Sequence, residues 1–229
     1  MKYRWLLFDA DGTLFDFERA ATTALADTFR QLIGHYEPRY HEIYERINKK
    51  AWRDFEAGHL TQDQLRTQRF AGLFEALSLK TNVETFADRY LQNLSGHTEL
   101  LPDAEDVVKQ LADSTKLMII TNGLKEVQRP RFAAASITKY FADVVISEEV
   151  GSAKPHEGIF NEAFKLMGQP ARHEVLIIGD SLTSDIQGGN NYGLDTCWYN
   201  PQGCARDHDV EIQYEIKSLL ELLSIVSDA

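Results

Sequence analysis

The sequence predicts an α/β protein: a parallel sheet whose chain is interrupted, after its first strand, by an inserted bundle of helices. Three observations predict it. Short runs, apolar almost throughout, recur between stretches of helical spacing, and strands apolar at nearly every position are those covered on both faces of a parallel sheet. Such runs vanish between Asp16 and about Gly96. Acidic, hydroxyl and amide residues stand where the apolar runs end, and open α/β sheets bind ligands outside the carboxyl ends of their strands.

The first run, Trp5 to Phe8, stops at Asp9, with Asp11 two residues on and Gly12 to turn the chain. Helical spacing then predicts helices from Phe17 to Ile33, Pro38 to Glu56, Thr61 to Leu77 and Val83 to Leu94. Pro38 suits a first helical turn, Gly58 a helix stop, and Thr61 with Gln64 has capping-box spacing. A connection of roughly 80 residues is too long to lack structure of its own. The chain is therefore expected to divide into a catalytic core, residues 1–15 and 98–229, and a helical cap, residues 16–97.

Beyond Leu101-Pro102, strands are expected at Lys116 to Ile120, Val144 to Ile146, Val175 to Ile178 and Thr196 to Tyr199. Helices are expected at Asp103 to Ala112, Leu124 to Ala135, His156 to Met167, Ser184 to Tyr192 and Tyr214 to Val226, with Pro130 kinking or beginning its helix. No internal repeat or low-complexity segment stands out.

The 229 residues carry a net charge of -11, and 43% of them are hydrophobic, enough for a well-filled interior. An acidic balance opposes binding to nucleic-acid polymers or anionic membrane surfaces. It leaves room for a small phosphorylated metabolite at a local cationic site. Cys197 and Cys204 are too few for a disulfide framework and are expected to be structural free thiols. The start at Met1 runs straight into the first strand with no long apolar leader, and no apolar run reaches the ~18 residues of a membrane span. A cytoplasmic monomer or homodimer is expected.

Two carboxylates held close repel each other unless a cation sits beside them, and a hard divalent ion such as Mg²⁺ suits one or two of them. Asp9 and Asp11 then suggest a nucleophile and a general acid. Thr121, Asn122 and Gly123 end the second strand, Lys154 precedes Pro155 in the loop after the third, and Asp180 ends the fourth. Each has a plain alternative: an N-cap for Thr121, a turn for Asn122 and Gly123, a solvated lysine for Lys154, a helix cap for Asp185. Converged at one sheet edge, Asp9, Asp11, Asp180, Thr121 and Lys154 make three carboxylates, a hydroxyl and an ammonium, an inventory for phosphoryl transfer.

Asp9-Ala10-Asp11-Gly12-Thr13, Thr121-Asn122-Gly123, Lys154-Pro155 and Gly179-Asp180-Ser181 through Asp185 resemble, in order, the four motifs of the haloacid dehalogenase superfamily. The resemblance spans essentially the whole chain. It implies a Rossmann-like parallel-sheet core with a helical-bundle cap and an aspartyl-phosphate intermediate on Asp9, with Asp11 as acid and then base. It further implies that Thr121 and Lys154 bind the phosphoryl group, with backbone N–H groups from Ala10 to Gly12 and near Asn122. Mg²⁺ would be held by Asp9, the Asp11 carbonyl and Asp180, with Asp185 ordering its waters.

Within that superfamily, displacing halide from carbon, as a 2-haloacid dehalogenase does, needs neither the second acid nor a metal. An alkoxide leaves badly without a proton. Asp11 and Asp180 thus favour a phosphomonoesterase, with a phosphomutase compatible with the same core. A non-enzymatic phosphoacceptor signalling domain would lack the large insertion after strand one. Phe141 to Pro155, with Ser147 to Gly151, and Thr196 to Asn200 resemble the branch containing bacterial pyrimidine 5′-nucleotidases. Nucleoside 5′-monophosphates are the implied substrates. Specificity is expected in the cap, at Trp52, Arg53 and Arg69, whose ring face and guanidinium groups suit a base. The alternative for the aromatics Trp52, Phe55 and Phe70 is packing of the bundle.

Overall fold

A computed structural model describes residues 2–206 and 209–228 of the chain. Its centre is β1 (Trp5–Phe8), which pairs in parallel with β2 (Lys116–Thr121) on one side and β4 (Val175–Gly179) on the other. With β3 (Phe141–Ile146), β5 (Asp195–Tyr199) and β6 (Tyr214–Ile216), the sheet runs β3-β2-β1-β4-β5-β6, parallel throughout. This is the doubly wound order, in which the crevice opens where the strand order reverses beside β1. Phe8 lies opposite both Ile119 and Ile178, so Asp9, Thr121 and Asp180 emerge at one edge.

Alternation along β1 explains why the strand is apolar at every position. Leu6 and Phe8 join one buried cluster with Val108 of α5 (Ala104–Ala112) and Leu222 of α10 (Glu221–Asp228). Trp5 and Leu7 join another with Phe160 and Phe164 of α8 (Glu157–Met167). Side chains of successive strand residues point to opposite faces, so both faces are covered.

Four helices fill the span between β1 and α5: α1 (Phe17–Leu32), α2 (Pro38–Glu56), α3 (Gln62–Leu77) and α4 (Val83–Ser95). They share a buried cluster of their own built on Phe29, Tyr44, Phe70, Phe86 and Tyr90. The expected punctuation is present. Pro38 opens α2, Gly58 follows it at φ +76°, and Thr61 and Gln64 exchange both capping-box hydrogen bonds. Two linkers join the bundle to the sheet side by side, with Asp16 N–H donating to the Glu99 carbonyl (3.0 Å) and Leu101 N–H to that of Leu14 (2.8 Å).

α6 (Lys125–Ala134) belongs to the sheet's crossover by chain order, yet its N-terminal Val127 and the preceding Leu124 pack into the bundle's cluster. Pro130 lies inside this helix rather than beginning it.

Three expectations need correction. The helix expected from Tyr214 is strand β6 followed by α10 from Glu221, because Trp198 pairs with Glu215 at the sheet edge. A three-residue edge strand is too short for periodicity to reveal. β3 starts at Phe141 rather than Val144, since exposed Ala142 and Asp143 interrupt its apolar run. The helix expected from Ser184 is a π-helical turn, Leu182–Ile186, leading into α9 (Gln187–Tyr192), and a single turn, α7 (Ser147–Val150), follows β3. No helix among the described residues is long and apolar enough to cross a membrane.

Candidate active site

A cavity of about 630 Å³ opens between the carboxyl edge of the sheet and the helical bundle. Its floor includes Asp9, Asp11, Thr121, Asn122, Lys154, Asp180 and Asp185, so the motif residues expected from the sequence converge. Its roof is one face of α2, where His41, Glu45, Asn48, Trp52 and Glu56 recur at helical spacing.

Lys154, 1% exposed, is the charge centre of the floor. Its ammonium donates to Asp9 Oδ1 (2.6 Å) and to the Ile120 carbonyl (2.7 Å), and stands 2.7 Å from Asp185 Oδ1. The Asn122 carboxamide fixes the lysine's backbone, accepting from Lys154 N–H (2.8 Å) and donating to its carbonyl (2.9 Å). Burial works against a charged ammonium, but the Asp185 and Asp9 carboxylates outweigh it and hold Lys154 above its ordinary range. Burial pushes the Asp9 carboxyl well above the usual carboxylate range. Lys154 pulls it back, and the charges of Asp185 and Asp180 raise it again. Asp180 keeps solvent contact at the cavity rim, yet the protein packed around it and the neighbouring Asp185 push it up to about 7.

Oxygens of Asp9, Asp180 and Asp185 lie within 4.8 Å of one another. The set fits a hard divalent cation on two observations. Asp185 Oδ1 is buried with no aligned hydrogen bond, while Oδ2 accepts from Ser181 N–H (3.0 Å). Gly12, at φ +85°, leaves room where a Cβ would come within 2.6 Å of Asp180 Oδ2. Carboxylate oxygen is the donor type that Mg²⁺ takes.

The carboxylate of Asp11 is turned away from this cluster. Gln128 Nε2 donates to its Oδ2 (2.6 Å), and the guanidinium of Arg131 pairs with Oδ1. Both partners are fully buried on α6, and Arg131 also lies over the Phe15 ring, 5.3 Å from its centroid. Thr121 Oγ1 accepts from Gly123 N–H (3.0 Å). The Gly12 N–H is engaged by the Phe15 carbonyl (3.0 Å), whereas those of Ala10 and Asp11 have no acceptor among the described residues.

The three cap residues expected to set specificity separate. Trp52 and Arg53 line the cavity, and Trp52 packs edge-on against Phe55. Arg69 is 2% exposed and is absent from the cavity wall, donating instead to Asn48 Oδ1 (2.9 Å). Phe70 is core, stacked on Tyr44 at 5.4 Å, which is the packing alternative. Cys197 and Cys204 are free; the first is buried in β5 and the second is exposed at the cavity wall.

Sequence reasoning missed Gln128 and Arg131, Asn48, and the pair that joins cap to core, in which Thr183 Oγ1 donates to Glu56 Oε2 (2.8 Å). It also missed Trp198, whose Nε1–H holds the Asp180 carbonyl (2.9 Å). Only Gln128 and Arg131 carry a local signal: they lie three apart on the helix directly after Thr121-Asn122-Gly123.

An acid cluster neutralised by one buried lysine, at the switch point of a doubly wound sheet and under a helical roof, defines a hydrolase-type site. A family model for haloacid dehalogenase-like hydrolases matches residues 3–193, and the chain belongs to that family of enzymes. Relatives extend over nearly the whole length. The pyrimidine 5′-nucleotidase YjjG of Escherichia coli is 35% identical over 226 residues, covering 96% of this chain and 99% of its own. The pyrimidine 5′-nucleotidase PynA of Streptococcus pneumoniae is 34% identical, covering 97% and 94%. The magnesium-bound crystal structure of the HAD-hydrolase YfnB from Bacillus subtilis, described as revealing interdomain movement, superposes with a TM-score of 0.94 at 34% identity over 99% of each chain.

Proposed function

We propose that this hydrolase is a Mg²⁺-dependent phosphomonoesterase that acts on small phosphate esters, nucleoside 5′-monophosphates among them. The observation that carries the reading is the Asp9–Lys154–Asp185 arrangement with Asp11 held apart on the other side of the same cavity. Relatives named as nucleotidases support the substrate class.

Asp9 attacks phosphorus in line, forming the aspartyl phosphate as the ester oxygen leaves. Asp11 gives that oxygen its proton. Asp11 then takes a proton from the water that attacks the aspartyl phosphate, releasing inorganic phosphate and restoring Asp9. To do so it exchanges its contact with Gln128 or Arg131 for the leaving oxygen. Lys154 neutralises charge on Asp9 and on the phosphoryl group, and Thr121 with the free N–H groups of Ala10 and Asp11 binds phosphoryl oxygens. Mg²⁺, held by Asp9, the Asp11 carbonyl and Asp180 with Asp185 behind them, would supply charge neutralisation for the phosphoryl oxygens. Residues 16–97 act as the cap, moving on the paired linkers near Phe15–Phe17 and Gly96–Leu101.

The second acid separates this reading from halide displacement, which has no use for a proton donor. The test is phosphate release from nucleotides, sugar phosphates and phenyl phosphate, with Mg²⁺ and with chelator, beside halide release from a 2-haloacid. Metal-dependent phosphate release, lost in Asp9→Asn, is expected. Metal-independent halide release without phosphatase activity would overturn the proposal.

A further inference from the structure

We infer that Asn48, oriented by the buried Arg69, is the cap residue that reads the substrate beyond its phosphate, donating its carboxamide N–H to a carbonyl oxygen of a pyrimidine base. The inference rests on the phosphomonoesterase reading of the same cavity.

On the α2 face that roofs the cavity, several polar groups are already engaged. Glu45 pairs with Lys49 (2.6 Å), Glu56 accepts from Thr183, and the His41 ring lies 3.3 Å from Thr22 Oγ1. Asn48 is different. It is 9% exposed, its Oδ1 accepts from Arg69, and its Nδ2 has no acceptor among the described residues. Arginine is a donor only, so the atom facing it has to be the oxygen, and the NH₂ group is left on the cavity side. The lysine of the floor donates toward the phosphoryl end; Asn48 supplies a second donor along the same cavity from the roof.

The guanidinium explains why the orientation is fixed. Arg69 has no carboxylate within ion-pair distance among the described residues, its Nε is unpaired, and it lies against the rings of both Phe70 (5.0 Å) and Tyr90 (5.5 Å). A buried charge with no counter-ion is costly, and a flipped amide would turn NH₂ toward it. Asn48 is thereby locked as a donor to the substrate. Cytosine, uracil and thymine all carry a carbonyl at C2, beside the glycosidic nitrogen, whereas adenine carries none and guanine's lies at C6, on the far side of the purine. A buried donor left without an acceptor penalises the wrong base.

Asn48→Asp tests this, because it keeps the acceptor for Arg69 and replaces the donor by an acceptor. The readout is the ratio of kcat/KM for uridine 5′-monophosphate to that for phenyl phosphate, which has no carbonyl. That ratio is expected to fall at least about tenfold, mostly through KM. Arg69→Met should lower it in the same way, while Arg69→Lys, which still donates to Oδ1, should retain it. An unchanged ratio in Asn48→Asp, with uridine 5′-monophosphate still hydrolysed, would overturn the inference and leave the phosphatase reading intact. A wild-type protein that releases phosphate from neither ester would overturn the reading on which it rests.

Discussion

Replacing Lys154 by Met keeps most of the length of the side chain and removes the one ammonium between Asp9 and Asp185. Lys154 and Asp185 are 1% and 0% exposed, and Asp9 is 7% exposed, so water replaces the lost charge poorly. Removing one partner of a buried pair costs about 3–5 kcal/mol, chiefly for the charge left behind. With a urea slope of about 2 kcal/mol per molar, the unfolding midpoint should drop by roughly 1.5–2.5 M at pH 8 in chelator. The loss should shrink on acidification. Asp9 already has its folded-state pKa raised, and removal of Lys154 raises it further. The stability tied to its protonation is fully present below the unfolded value near 3.9 and is lost as pH rises through the folded one. Urea unfolding of both proteins at pH 8 and pH 5 measures it. A midpoint shift below about 0.5 M at pH 8, or a shift larger at pH 5, would refute the account of Lys154 as the counter-charge of the floor.

Asp11→Asn should slow alkyl phosphates by about 10²–10⁴-fold and esters with good leaving groups such as p-nitrophenyl phosphate far less, as read by steady-state phosphate release. Equal losses for the two would argue against its acid role. Mg²⁺ should raise the melting temperature more at pH 8 than at pH 5.5, because Asp180 sits at about 7 and Asp9 is raised, and both take protons as pH falls. Thermal scans with Mg²⁺ and with chelator at the two pH values decide it. Gly12→Ala should destabilise by about 1–2 kcal/mol through its left-handed backbone and weaken Mg²⁺ binding by crowding Asp180, seen in urea unfolding and in a metal titration.

The partners of Asp11 carry the closest link between fold and chemistry. Arg131 and Gln128 hold Asp11 from a helix whose first turn is packed into the bundle, and Arg131 also lies over Phe15 beside the linkers. If the bundle moves as proposed, the movement acts on the residues that hold Asp11.

The sequence by itself determined the parallel sheet, the inserted helices, and the candidate residues Asp9, Asp11, Thr121, Lys154, Asp180 and Asp185. Asp9, Thr121 and Asp180 rest on local spacing, since an apolar run followed at once, or after one glycine, by a polar residue places that residue at a strand's carboxyl end whatever the remainder of the chain does. Asp11 and Lys154 rest on their places in the loops behind such ends, and Asp185 on the resemblance to the fourth motif. Only the tertiary structure decided what each of them touches. Asp11 meets Gln128 and Arg131 across 117 and 120 residues, Glu56 meets Thr183 across 127, and Arg69 turns toward Asn48 rather than the cavity. Spacing along a helix gives the face on which an arginine lies but not which neighbour fills the space beside it, and a three-residue edge strand such as β6 exists only because β5 is there to pair with it.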